Sequence, residues 1–113
     1  MFKMKFGGTY TDIAYEQIFS FKDVEEFFHI AVIDYVKGSK VNYSESDTWP
    51  LQLFRIVENE IECVASIAVA TAGYRGIGPL FTYNVLSRLG FDVGEEIFQS
   101  NGEKVHLEYY KKQ

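Results

Sequence analysis

The chain of 113 residues carries a formal net charge of -5, with 47% hydrophobic and 24% charged residues. These values predict one globular domain over residues 1–113 and exclude a disordered chain. The acidic balance argues against binding to duplex nucleic acid or to an anionic membrane, because both require a basic protein face. The aromatic content of 17% is high, and we expect some tyrosines to lie on a binding surface.

Cysteine usage and hydropathy bear on the compartment. Cys63 is the only cysteine, so no disulfide can form within the chain. The first ten residues lack the long apolar core of a signal peptide, and no segment approaches the roughly 20 apolar residues of a transmembrane helix. The sequence therefore predicts a cytoplasmic protein.

Two strands are predicted at the start of the chain. Apolar residues alternate with lysines over residues 2–6, which is typical of a strand with one buried face. Gly7-Gly8 suits a two-residue hairpin turn. Residues 9–19 are rich in Thr, Tyr and Ile, which favours a second strand.

A helix is predicted over residues 23–37, capped by Asp23 and ended by Gly38. Ile30 and Ile33 lie away from its main apolar stripe. A helix with apolar residues on two sides is covered twice, and in a chain this short the second cover can be another subunit. We therefore expect a homodimer or a larger oligomer.

A long polar loop over residues 38–50 follows, and two interpretations of it stay open. Long loops in compact domains are often functional. In the other interpretation the segment is a solvated connector that Trp49 anchors to the core.

A second hairpin is predicted over residues 51–72. Strands over residues 51–58 and 61–72 flank a tight turn. After Glu62 the second strand carries no charge on either face, so we expect it to be central and covered on both sides. Its face of small residues suggests close approach of a helix or of a partner subunit.

Residues 73–79 form a glycine-rich loop between that strand and an amphipathic helix. Gly78 is expected at the N-cap and Pro79 at the first helical position, and Gly90 ends the helix. Strands over residues 96–99 and 104–110 then form a hairpin, because Asn101-Gly102 suits a type I′ turn.

The predicted element order is β-β-α-β-β-α-β-β. Hairpins separated by helices indicate an α+β fold with a largely antiparallel sheet of about five to six strands and two helices.

Catalytic and metal motifs are not found in the sequence. His29 and His106 have no HExxH or CxxC context, and neither GxSxG nor GxxxxGK[ST] occurs. We therefore predict no catalytic residues, no metal site and no cofactor.

The glycine-rich loop is the candidate ligand site. A strand, a glycine loop and a helix N-terminus form the usual geometry for holding an anion, and Arg75 can add a charged contact. The alternative is that three glycines only make a sharp connection. The candidate ligand-binding residues are Tyr74, Arg75, Gly76, Ile77, Gly78 and Trp49.

Residues 74–78, between a strand and a helix, resemble part of the acetyl-CoA pyrophosphate loop of the GNAT acetyltransferases, [QR]xxGx[GA]. Arg75 and Gly78 match this pattern, whereas Leu80 stands where Gly or Ala belongs and Pro79 removes an N–H. The resemblance covers about twenty residues and implies a shared local solution for binding anions.

Three functional hypotheses follow. The first is a non-enzymatic protein that binds a phosphate-bearing, nucleotide-like molecule at the loop and could act by sequestering a signalling nucleotide. The second is a small acidic protein–protein inhibitor or immunity-type protein, which the net charge of -5 and the aromatic content equally favour. The third is a reduced acyl-CoA enzyme of the GNAT type.

Overall fold

The protein has an α+β fold, which confirms the predicted class. A computed structural model describes residues 4–6, 11–38, 42, 44, 49–99 and 102–111. The elements in chain order are β1 (Met4–Phe6), α1 (Thr11–Ile18), α2 (Val24–Phe27), β2 (Ile30–Val36), β3 (Leu51–Val57), β4 (Glu60–Ile67), α3 (Ile77–Arg88), a 3-10 helix (Glu95–Phe98) and β5 (Lys104–Tyr110).

The strands form one sheet in the order β1-β4-β3-β2-β5. Strands β4, β3, β2 and β5 are antiparallel neighbours, and the short β1 joins β4 in parallel at the edge. The expectation of a largely antiparallel sheet is therefore confirmed. The predicted pairing of residues 2–6 with residues 9–19 is wrong, because β1 pairs with β4 instead.

The β3–β4 hairpin is where the sequence predicted it. Glu58 and Asn59 connect the strands, with φ of 50° and 68°. Two consecutive positive φ angles are the mark of a type I′ turn, whose twist matches that of the flanking strands. Strand β4 ends at Ile67, five residues before the predicted end at residue 72.

Residues 11–18 form a helix, so the prediction of a strand over residues 9–19 is wrong. The buried residues of α1 are Ala14 and Ile18, which are four positions apart, whereas Ile13 is 46% exposed. Spacing by four is the helical period, and it outweighs the strand propensity of individual Thr and Tyr residues. Gly7-Gly8 lies outside the described residues.

The predicted helix over residues 23–37 is also wrong. Only Val24–Phe27 is helical, Asp23 makes no side-chain cap bond, and Ile30–Val36 is a strand between β3 and β5. A strand directs successive side chains to opposite faces, so apolar residues on two sides are compatible with an internal strand. One face of β2 is buried, and the other is covered only at its start, since Val36 is 47% exposed. Ile30 and Ile33 are buried within the chain, at 6% and 0% exposed.

These assignments remove the surfaces from which an oligomer was predicted. Ile30 and Ile33 belong to an internal strand of the sheet, and the predicted face of small residues over 64–72 is covered by the same chain. Ala68 and Ala70, for example, are 1% and 0% exposed. The oligomer stays a prediction that needs a different surface.

The predicted C-terminal hairpin is wrong as well. Glu95–Phe98 is a 3-10 helix, and Lys104–Tyr110 pairs with β2 over seven residues. Of the predicted turn, Ser100 and Asn101 lie outside the described residues, and Gly102 has φ of 95°. The positive φ that the Asn-Gly signal predicts is therefore present at Gly102, but it does not join two paired strands.

Helix α3 begins at Ile77 with Gly76 as its N-cap, two residues before the predicted start. Gly90, with φ of 97°, follows its last turn as predicted, and Phe91 N–H donates to the Leu86 carbonyl. Helices α1 and α3 contribute Ile18 and Val85 to the hydrophobic cluster that contains Ile33 of β2. No helix among the described residues has the length and apolar character needed to cross a membrane.

The burial of Ile33 in strand β2 can be tested by shortening its side chain. Ile33→Ala removes most of a side chain that is 0% exposed and leaves a cavity in its place. We therefore expect it to lower the free energy of unfolding by roughly 2–5 kcal/mol. Ile61→Ala is the matched control, since Ile61 is 62% exposed, and its expected cost is below about 0.5 kcal/mol. Urea denaturation measures both, and equal costs would contradict the burial of Ile33.

Candidate functional site

The glycine-rich loop is the last part of the connection between β4, which ends at Ile67, and α3, which begins at Ile77, and it contacts the 3-10 helix. Gly73 donates its N–H to the Ile97 carbonyl at 2.7 Å and has φ of 92°. A Cβ at Gly73 would lie 2.4 Å from Cγ2 of Val105. Glycine is therefore required here by a left-handed backbone and by the close approach of β5.

Gly78 is required by packing of another kind. A Cβ there would lie 2.1 Å from Oγ1 of Thr71 and 2.8 Å from the Tyr74 hydroxyl oxygen. Those two hydroxyls hydrogen-bond each other at 2.7 Å, and Thr82 donates its hydroxyl to the Thr71 carbonyl, also at 2.7 Å. The glycines at both ends of the loop are thus explained by local structure, without a ligand.

Arg75 already has an intramolecular partner. Its guanidinium forms an ion pair with Glu95 at 3.0 Å and lies 5.5 Å from the centre of the Phe98 ring. The two charged side chains are 77% and 68% exposed, and an ion pair so open to solvent contributes no more than about 1 kcal/mol. The guanidinium is thus accessible, but a bound anion would compete with a neighbouring carboxylate.

The start of α3 offers backbone donors. The N-cap residue Gly76 provides no side-chain cap, and the first helical hydrogen bond runs from Leu80 N–H to the Gly76 carbonyl at 3.1 Å. The N–H groups of Ile77 and Gly78 precede that bond, and Pro79 has none. Two backbone N–H groups beside Arg75 are the part of the predicted anion site that the geometry retains.

The two aromatic residues predicted to contact a ligand, Trp49 and Tyr74, both have contacts within the chain. Trp49 is 4% exposed and donates its indole N–H to the Asn42 carbonyl at 2.8 Å, which suits an anchor. No hydrogen bond or ring contact between described residues joins it to the loop. Tyr74 is 39% exposed and its ring lies 6.3 Å from that of Tyr35, whose pKa is raised by burial and by Tyr74.

An open groove of about 420 Å³ lies between α1 and the first turns of α3. Its most exposed apolar residues are Ile77 and Leu80, at 75% and 51%. Asp12 and Glu16 line it from α1, and both are exposed. The remaining lining residues are Thr11, Tyr15, Phe81 and Asn84. The groove therefore combines an apolar strip with an acidic wall.

Sequence reasoning missed this groove because it assigned residues 9–19 to a strand. The spacing of Ala14 and Ile18 was the available signal, since it is helical and places Asp12 and Glu16 on one face. Even with α1 assigned, its position beside α3 follows from tertiary packing alone.

His106, for which the sequence shows no metal-binding motif, lies between two carboxylates on the solvent-exposed face of β2 and β5. Its Nε2 is 3.1 Å from Glu108 and its Nδ1 is 3.5 Å from Asp34. The hydrogen bond to Glu108, and then that to Asp34, raises the pKa of His106 above its ordinary 6.5. Within the described part of the chain, no group of three or more His, Cys, Asp or Glu residues is placed to hold a metal ion.

Comparisons of this chain with protein-family models, with curated proteins and with solved structures find no match. The resemblance to the acetyl-CoA loop thus remains local, confined to one strand–loop–helix segment. Functional conclusions depend on the geometry of the chain itself.

The packing around Gly78 predicts a coupled pair of substitutions. Gly78→Ala should lower the free energy of unfolding by roughly 1–3 kcal/mol, because the new methyl group meets the Thr71 hydroxyl. In a Thr71→Ala background the same substitution should cost less, since the nearest atom is gone. A double-mutant cycle by urea denaturation measures this coupling, and strict additivity would contradict it.

The ion pairs of His106 predict that the free energy of unfolding depends on pH. A histidine whose pKa is higher in the folded state stabilises the fold fully below its unfolded pKa and ceases to do so as pH rises through the folded value. We therefore expect the free energy of unfolding to fall slightly as pH rises above about 6.5, and to fall less in His106→Gln. An NMR titration giving His106 an ordinary or lowered pKa would contradict the ion pairs.

Proposed function

We propose that this chain is a binding protein whose partner presents a basic, apolar segment to the groove between α1 and α3. The observation that carries the proposal is the exposure of Ile77 and Leu80 beside the carboxylates of Asp12 and Glu16. The proposed function is that of a small acidic protein–protein inhibitor or immunity-type protein.

The apolar strip supplies affinity and the acidic wall supplies selectivity. Covering Ile77 and Leu80 removes apolar surface from water, which is favourable at roughly 25 cal/mol per Å². Asp12 and Glu16 attract Lys or Arg side chains and repel acidic segments. The net charge of -5 adds long-range attraction for a basic partner.

The same charges weigh against an anionic ligand in this groove. A phosphate between the helices would approach two carboxylates, and at the loop it would compete with Glu95 for Arg75. The packing around Gly73 and Gly78 also accounts for the glycines that suggested the anion site. The protein-binding hypothesis therefore has the stronger support.

A designed amphipathic peptide of Leu and Lys residues tests the proposal. We expect backbone NMR shifts on titration to cluster on α1 and on the first turns of α3. A peptide with Glu in place of every Lys should cause no such shifts. Shifts spread evenly over the surface, or equal responses to both peptides, would contradict the proposal.

Variants of the groove sharpen this test. Asp12→Asn and Glu16→Gln should each weaken peptide binding up to about fivefold without changing side-chain shape. Leu80→Ser should weaken it roughly tenfold, because the apolar contact is lost. Ile61→Ser is the matched control, since Ile61 is 62% exposed on β4 and does not line the groove. An Ile61 variant as weak as the Leu80 variant would indicate nonspecific adhesion.

The nucleotide-like ligand at the loop stays a second candidate, supported by the uncapped start of α3 beside Arg75. A thermal-shift screen with nucleotides, cyclic dinucleotides and coenzyme A finds such a ligand, since ligand at a hundredfold excess over Kd stabilises by about 2.7 kcal/mol. A response to coenzyme A alone would favour the acyl-CoA hypothesis.

Calorimetry then tests the loop with two opposite substitutions. Arg75→Ala removes a charge-assisted contact and should weaken binding by roughly 1.5–3 kcal/mol. Glu95→Gln releases the guanidinium from its intramolecular partner and should strengthen binding. Equal affinities for wild type and both variants would remove Arg75 from the site.

A further inference from the structure

Strand β5 lies at one end of the sheet and pairs with β2 on one side only. Among the residues that the structure describes, no strand pairs with its other side. Edge strands of this kind present a row of backbone groups that another strand can bind.

The hydrogen bonds at the two ends of the β2–β5 ladder show which backbone groups face outward. Lys37 N–H donates to the Glu103 carbonyl at 2.8 Å, and Lys111 N–H donates to the His29 carbonyl at 3.0 Å. In an antiparallel pair, hydrogen-bonded positions alternate along the strand. The backbone N–H and C=O groups of the odd-numbered residues of β5 therefore point toward β2, and those of the even-numbered residues point away from it.

We propose that β5 pairs with β5 of a second copy of this chain in antiparallel orientation, about a two-fold axis at Leu107. This register places Lys104 opposite Tyr110 of the second copy and His106 opposite Glu108 of the second copy. Each of these residues has its N–H and C=O directed outward. All four even-numbered residues then exchange both backbone hydrogen bonds with their counterparts.

Charge complementarity selects this register. Opposite charges on directly facing residues stabilise an antiparallel pair, and like charges destabilise it. An axis at Leu107 brings His106 and Glu108 together twice, once on each side of the axis. A shift of two residues would centre the axis on His106 or on Glu108, and would set two imidazoles or two carboxylates against each other.

The side chains of β5 that face the hydrophobic core also suit this register. Val105, which is 6% exposed, would lie opposite Tyr109 of the second copy, and Leu107 would lie opposite itself. Val105 belongs to the hydrophobic cluster, and Leu107 and Tyr109 pack against it. Pairing therefore makes one ten-stranded sheet from two copies of the five-stranded one and joins their apolar faces at the edge.

A disulfide across the proposed axis tests the register. Leu107 would occupy a non-hydrogen-bonded pair, whose Cα atoms lie about 4.5 Å apart, within the range that a disulfide spans. In a Cys63→Ala background, Leu107→Cys should form a covalent dimer under mild oxidation. Lys104→Cys is the control, because two copies of residue 104 would lie about six residues, or roughly 20 Å, apart.

Equal crosslinking of the two variants, or none by Leu107→Cys, would overturn the proposed register. Circular dichroism of each variant verifies that the fold is kept. The groove variants of α1 and α3 should leave crosslinking unchanged, so failure of this proposal and failure of the proposed groove are separable.

The noncovalent dimer is tested with a substitution of one outward backbone donor. Light scattering of the wild type should give twice the monomer mass of 13.0 kDa. Glu108→Pro removes an outward N–H without touching the β2 ladder and should weaken dimerisation roughly tenfold or more, since each dimer loses two hydrogen bonds. Glu108→Ala keeps the N–H and should weaken it less. A wild-type protein that is monomeric at every concentration measured would overturn the proposal.

Discussion

Pairing between β2 and β5 is the constraint on which the rest of the structure depends. It joins residues that lie 68 to 80 positions apart along the chain, in a register that runs from Ile30 with Tyr110 to Val36 with Lys104. The pairing makes β2 an internal strand and brings Val105 against Gly73 at the start of the glycine-rich loop. It also leaves one side of β5 at the edge of the sheet.

The loop illustrates how one sequence pattern satisfies two physical demands. Glycines permit positive φ and close backbone approach, and both properties suit an anion site as well as a crowded connector. Gly73 and Gly78 are crowded by Val105 and by Thr71 within the chain. What the loop retains for a ligand is Arg75 with the backbone donors of Ile77 and Gly78, and Glu95 moderates the charge of that group.

Charge distribution relates the two proposed surfaces. The groove combines the carboxylates of Asp12 and Glu16 with apolar side chains, which favours a basic partner of a different sequence. The edge of β5 instead carries the carboxylate of Glu108 and the imidazole of His106, which is positive when protonated, and this pair favours a second copy of the same strand. The two surfaces therefore select different partners through the same electrostatic rule.

Local signals in the sequence determined those parts of the structure that local physics controls. They include the α+β class, the β3–β4 hairpin with its turn at Glu58 and Asn59, and the termination of α3 just before Gly90. Turn geometry and helix termination depend on a few adjacent residues, so propensity and periodicity identify them. The glycine-rich loop between a strand and a helix was identified for the same reason.

Only the tertiary structure decided the assignment of residues 30–36, the partner of β5, and the two candidate surfaces. The segment 30–36 carries apolar residues on both sides, which is compatible with a doubly covered helix and with an internal strand. Pairing with β3 and β5 resolves that ambiguity, because it satisfies the backbone groups of the segment and buries Ile30 and Ile33 at once. Neighbours that lie far away in the chain make that choice, and no local pattern contains them.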